Sequence, residues 1–183
     1  MSTTPLKAND ILDPWETPSV DIQLEVGAIF EGYKILSKLS VNSMTDVYQV
    51  KNNLLGREEA LKVFSCGEDA ISEERFLREM SLQGQLVIPG VLTVYQAGKT
   101  EWEGIAIWYF TMPFIQGEHL AHHLLINDCS ELHKYQILLK LATILNEAEK
   151  KGIIHRDIKA QNILIDSYQK VHLIDFGISR LCS

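Results

Sequence analysis

Cysteine is scarce in this chain and scattered. Cys66, Cys129 and Cys182 are its only thiols, and they form no CxxC pair and no familiar Cys/His ligand spacing. Neither a disulfide framework nor a zinc module is therefore expected, and the thiols read as free in a reducing compartment. Basic residues are also few: the net charge is −7 and no long Lys/Arg block occurs. Nucleic-acid binding draws most of its affinity from phosphate neutralisation, so a nucleic-acid partner is not expected. Long apolar runs are missing as well. The longest, Ile105 to Ile115, contains Pro113 and is about half of the ~20 residues a membrane helix needs. Met1 to Asp10 lacks the apolar core of a signal peptide. These absences predict a cytoplasmic protein without a membrane partner. A hydrophobic content of 46% over 183 residues is enough for an ordinary buried core.

Residues 1–28 are polar and acidic, with Pro5, Pro14 and Pro18 breaking any period, and are expected to be a disordered leader. From Gly32 onward the pattern turns to short β-type runs. Tyr33–Leu39, Val47–Lys51 and Glu58–Phe64 read as strands, with Asn52–Gly56 as the turn between the last two. Ser72–Gln83 reads as a helix capped by Ser72 and stopped by Gly84. Val91–Ala97 and Ile105–Met112 read as two further strands, joined by the polar turn Gly98–Gly104. A long helix then follows, with Asp128 as cap and Glu131 three residues on. It carries Leu138, Leu141, Leu145 and Ala148 on one face and ends at Gly152. Ile163–Ile165 and Val171–Ile174 are short strands about the turn Asp166-Ser167-Tyr168.

The chemistry concentrates near the C-terminal end. His155-Arg156-Asp157-Ile158-Lys159-Ala160-Gln161-Asn162 is followed, thirteen residues after Asn162, by Asp175-Phe176-Gly177. This pair of loops resembles the catalytic and magnesium loops of eukaryotic-type serine/threonine protein kinases. Upstream, Ala60-Leu61-Lys62-Val63 is similar to the family's Val-Ala-Ile-Lys strand, and Glu79 stands seventeen residues beyond Lys62. The resemblance implies an α+β fold: a small lobe of five antiparallel strands plus one helix, then the first part of a helical large lobe. It divides the chain into a small lobe at 29–112, a hinge at 113–117 and a partial large lobe at 118–183. It implies ATP and Mg2+ as ligands and a protein substrate or regulatory partner.

Residue by residue, the resemblance makes Asp157 the carboxylate that aligns the acceptor hydroxyl and Lys159 the cation that steadies the transferred phosphate. Asn162 and Asp175 become the magnesium ligands, since oxygen donors suit a hard cation. Lys62 would contact the phosphates and be oriented by Glu79. Val47, Ala60 and Leu164 would enclose adenine, with Met112 as gatekeeper, Pro113 and Ile115 offering backbone groups, and Leu39 and Ser40 at the edge of the phosphate-covering loop. His155 and Phe176 would pack the loops.

Three departures from the family pattern stand out. The phosphate-covering loop, Ser40 to Val47, has lost all three glycines; none occurs between Gly32 and Gly56. Glycine allows close backbone approach to phosphate, so weakened ATP binding is expected. Gln83 replaces the usual apolar packing residue and needs a partner of its own. Finally, Ser183 lies six residues after Gly177, so an activation segment and peptide platform are expected to be missing, and the long helix to show an apolar stripe. These departures keep a second reading in play, a pseudokinase or regulatory module. A gene remnant and a small-molecule phosphotransferase are further alternatives.

Overall fold

The computed structural model describes residues 22–41, 45–64 and 73–174. Six strands, β1 (Ile29–Phe30), β2 (Tyr33–Val41), β3 (Thr45–Asn52), β4 (Glu58–Phe64), β5 (Gln96–Trp102) and β6 (Ile105–Pro113), form one antiparallel sheet. Their order is β1-β2-β3-β4-β6-β5. The expected five-stranded sheet thus gains a short edge pair, Ile29↔Lys34 and Phe30↔Tyr33. Helix α1 (Glu73–Gly84) follows β4; the proposed cap Ser72 lies outside the described residues.

Alternation along the strands gives the sheet two apolar faces. Tyr33, Ile35, Tyr48, Val50, Leu61, Val63, Ile107 and Tyr109 fill one. Ile22 and Leu24 pack onto this face too, and the Tyr48 hydroxyl donates to the Ile22 carbonyl (3.3 Å). Apolar packing of the chain on the sheet therefore starts upstream of residue 29. The other face carries Ala60, Phe64, Trp108, Phe110 and Met112 and receives Phe76 and Met80 of α1. Phe76 sits 4.7 Å from Trp108 and 5.8 Å from Phe64, ring centre to ring centre. Its neighbour Gln83 is buried on the same helical face.

Two expected boundaries move. Strand β5 begins at Gln96 and includes Gly98 to Trp102, leaving only Glu103 and Gly104 as the turn. Val91 is bridged to Leu173 instead of joining β5. The segment between α1 and β5 dips away from the sheet, and Leu86 and Ile88 enter a second core. The Leu173 N–H donates to the Gly90 carbonyl (2.6 Å) and the Leu92 N–H to the Leu173 carbonyl (3.3 Å).

That second core belongs to the helical half. After Pro113 come β7 (Gly117–His119), α2 (Leu120–Ile126), α3 (Glu131–Lys150), one 3-10 turn (Ala160–Asn162), β8 (Ile163–Asp166) and β9 (Val171–Leu173). Strands β7-β8-β9 make a small antiparallel sheet. Ser130, not Asp128, caps α3: its hydroxyl accepts from the His133 N–H (3.2 Å). The buried stripe of α3 is Ile137, Leu141, Ile144 and Ala148. Leu138 points away and is 57% exposed. Gly152, at φ 73°, ends the helix as expected, its N–H donating to Glu149 O (2.8 Å).

Candidate functional site

Strand register gathers the first part of the site. Ala60, Lys62 and Phe64 alternate onto the α1 face of β4, opposite Met112, Phe110 and Trp108 of β6 respectively. Val47 of β3 lies across from Lys62 and packs against the same cluster. Val47, Ala60 and Met112 therefore line one apolar surface beside Lys62. The lysine is buried to 8% exposure. Glu79 is half-buried on α1, and among the described residues no ion pair joins it to Lys62. Leu39 is largely exposed and Ser40 half-buried at the end of β2. Their pairing continues as Ser40↔Val47 and Val41↔Asp46; residues 42–44 lie outside the described residues. Asp46 is buried and bonded to Lys38 (2.9 Å).

Pro113 closes β6 opposite Glu59, and Ile115 follows in the loop to β7. Leu164 sits on β8 between His119 and His172. Its neighbours Ile163 and Ile165 turn into the helical core, so Leu164 takes the opposite face and is half-buried.

The second part of the site is a knot of hydrogen bonds in the irregular stretch between α3 and β8. Arg156 adopts φ 70°, a conformation uncommon outside glycine. His155 is buried, and its Nε2 lies 2.8 Å from the Ile174 carbonyl. Its Nδ1 accepts the Asp157 N–H (3.3 Å), which assigns the proton to Nε2. The Asn162 amide donates from Nδ2 to both the Asp157 carbonyl and Asp157 Oδ2, each at 2.9 Å. Lys159 Nζ lies 2.7 Å from the same Oδ2. The Lys159 ammonium, opposed by partial burial and assisted by the Asn162 amide, holds the Asp157 carboxyl below its ordinary range.

Asp175 and Phe176 lie outside the described residues. The residue before them is fastened from both sides: Ile174 donates its N–H to the Asn162 carbonyl (2.9 Å) and accepts from His155. The Asp157, Lys159 and Asn162 cluster is thus tied to the residue one peptide bond from Asp175.

The family model of the protein kinase domain matches residues 33–183. The chain belongs to the protein kinase family. It is 32% identical over 164 residues to the serine/threonine-protein kinase PknJ of Mycobacterium tuberculosis, covering 86% of this chain and 27% of that protein. It is 30% identical over 156 residues to the serine/threonine-protein kinase PrkC of Bacillus subtilis, covering 82% of this chain and 23% of that kinase. Among solved structures, a crystal structure of the Mycobacterium tuberculosis PknI kinase domain is similar at a TM-score of 0.68 and 28% identity. That match covers 85% of this chain and 64% of the PknI chain. This kinase domain therefore spans about a quarter of the length of the curated relatives it matches, and the part of the fold present is the strand-rich lobe with the opening of the helical one. Kinases of this family use ATP and Mg2+. Among the described residues no helix is long and apolar enough to cross a membrane.

One cluster escaped the sequence reading. His123, Cys129 and His133 come together between α2 and α3, and their spacing carries no familiar signature.

Proposed function

We propose that the chain carries the nucleotide and phosphoryl-transfer machinery of a serine/threonine protein kinase, moving the terminal phosphate of ATP to a protein hydroxyl. The observation that carries this reading is the double donation from Asn162 to Asp157, with Lys159 on the same carboxylate oxygen. Lys159 and Asn162 stabilise the charged form of Asp157 and hold its carboxyl below the ordinary range. The main work of this carboxylate is to orient the acceptor hydroxyl through Oδ1. Lys159, half-exposed beside it, steadies phosphate charge.

Asn162 donates with Nδ2 to Asp157, which leaves its Oδ1 as an oxygen donor of the kind a hard cation takes; with Asp175 it fits Mg2+. The ion would supply charge neutralisation on the phosphates. Lys62 binds phosphate from the sheet side. Val47, Ala60, Met112 and Leu164 enclose the adenine, while Leu39 and Ser40 border the phosphates. The carbonyl of Pro113 and the backbone of Ile115 receive the base edge. In this reading 29–112 act as the small lobe, 113–117 as the hinge and 118–183 as the start of the large lobe.

A second reading, a non-catalytic kinase-like interaction module, is favoured by one observation. The β2–β3 hairpin pairs up to Val41↔Asp46 with no glycine in it, so a Cβ stands at every position where backbone would have to approach phosphate closely. Two measurements on the purified chain separate the readings. Mg2+-dependent ATP should raise the melting temperature by mass action, and Lys62→Met and Asp175→Ala should each abolish the rise. Transfer of labelled phosphate to a generic Ser/Thr protein substrate should then be lost in Asp157→Asn while the ATP-induced rise persists. A cooperatively melting chain that ATP does not stabilise would leave the module reading.

A further inference from the structure

We propose that His123, Cys129 and His133 form a binding site for a zinc ion, which staples α2 to the start of α3. The three ligand atoms lie within 4.8 Å of one another. They come from the end of α2, the connecting loop and the first turn of α3, and they share a surface pocket of about 290 Å3 with Asn127, Asp128, Ser130 and Gln169.

Two features distinguish this cluster from a chance meeting of side chains. The first is tautomer control. His123 is buried, and its Nδ1 lies 2.8 Å from Glu118 Oε1. A carboxylate only accepts, so the proton sits on Nδ1 and the lone pair on Nε2, which is aimed at the cluster. A carboxylate orienting a histidine in this way is the usual outer support of a metal-bound imidazole. Glu118 is itself held by His122 (2.7 Å) and Asn127 (3.1 Å).

The second feature is spacing. His123 Nε2 and His133 Nε2 are 3.2 Å apart. Two nitrogens bound to tetrahedral zinc at ~2.0–2.1 Å stand about 3.3 Å from each other, so the imidazoles already have the separation of two ligands. Cys129 supplies a thiolate as the third, and water or Asp128 at the pocket rim completes four. Two imidazoles and a sulfur suit zinc and disfavour Mg2+ or Ca2+, which take oxygen ligands. Without metal, the same geometry is a His133-to-His123 hydrogen bond, and that is the alternative to be tested.

The test uses the full chain without a histidine tag, freed of metal and titrated with Zn2+ and, separately, Co2+. One equivalent should bind, with a sulfur-to-cobalt charge-transfer band from a single thiolate. Cys129→Ser should remove that band, His133→Gln should abolish tight binding, and Glu118→Ala should weaken Zn2+ by about 10–100-fold. The Cys66→Ser, Cys182→Ser double variant should keep the site intact. Zn2+ should also raise the melting temperature of the parent chain. No uptake by the parent, a band unchanged in Cys129→Ser, or a site lost in the double variant would each overturn the proposal.

Discussion

Gly117 opens β7 opposite Asp166, and replacing it by alanine tests how tightly β7 is held to β8. Its need for glycine is one of space, not of dihedral angle, since it is not among the positive-φ glycines. A Cβ there would fall inside contact distance of the Ile165 carbonyl oxygen and 2.9 Å from both Asp166 Cα and the Ile165 carbonyl carbon. All three obstacles are backbone, so no rotamer change relieves them. The short strand must lift from β8 and weaken its pairing, and the Ser167-to-Gln116 hydrogen bond (3.3 Å) must move with it. Overpacking of this kind costs about 1–3 kcal/mol. For a chain of this size each kcal/mol lowers the melting temperature by about 2–4 °C, so Gly117→Ala should lose about 2–12 °C by calorimetry. Gly56→Ala is the control: φ is +69° there, with nothing within 4 Å of the added carbon. Its cost is backbone strain alone, about 1–2 kcal/mol. ATP binding should weaken in Gly117→Ala and hold in Gly56→Ala. A Gly117→Ala chain that melts within a degree of the parent would refute the steric argument.

Phe76 is fully buried among Phe64, Trp108 and the sheet, so Phe76→Ala should cost about 3–5 kcal/mol; a thermal melt lowered by less than about 6 °C would contradict this. Ser130→Ala removes the cap of α3 and should cost about 1 kcal/mol in a denaturant titration. Lys159→Met should raise the midpoint of the Asp157 carboxyl in an NMR titration, because the ammonium is the main cause of its depression. The sign follows from linkage: a carboxyl more acidic folded than unfolded stabilises the fold above its unfolded pKa, and that gain is lost as pH falls through the folded pKa. Stability should therefore depend less on acid in Lys159→Met than in the parent.

Where local chemistry determines structure, the sequence was readable. Glu58–Phe64 keeps its expected bounds because Asn52 closes the preceding turn, its Oδ1 accepting from Leu54 and Leu55 N–H (3.0 and 2.9 Å). Asp157, Lys159 and Asn162 are close in sequence, so their hydrogen bonds are a local matter of one loop. The misplaced start of β5 has a tertiary cause. Val91 is apolar because it packs into the helical core beside β9 and Leu92 because it packs on the α1 side of the sheet, while Gln96–Trp102 is an edge strand held by its backbone to β6. The α3 stripe turned by one position, from Leu138 to Ile137, because the packing partners on β8 and β9 choose the face. The His123, Cys129 and His133 cluster depends on the reversal between α2 and α3, which no short pattern encodes.

The dip between α1 and β5 makes that segment a strap joining the sheet to the helical core. Leu86 and Ile88 are embedded in the helical core, and Lys151 Nζ holds the Val87 carbonyl (2.9 Å). The Tyr95 N–H is already tied to Thr111 of the sheet (2.8 Å). Between the two cores the chain passes through Leu92–Val94 and Phe114–Gln116, and both stretches are tied: the Leu92 N–H donates to the Leu173 carbonyl (3.3 Å) and the Gln116 carbonyl accepts from the Ser167 N–H (3.3 Å). Residues 86–90 thus belong with the helical half, where the Gly90 carbonyl also accepts from the Leu173 N–H. Those residues follow directly on the C-terminus of α1, where Thr93 Oγ1 also grips the last carbonyls of Gln83 and Gly84 (3.1 and 3.2 Å). One strap therefore fastens the end of α1, the helix that carries Glu79, to the helical core.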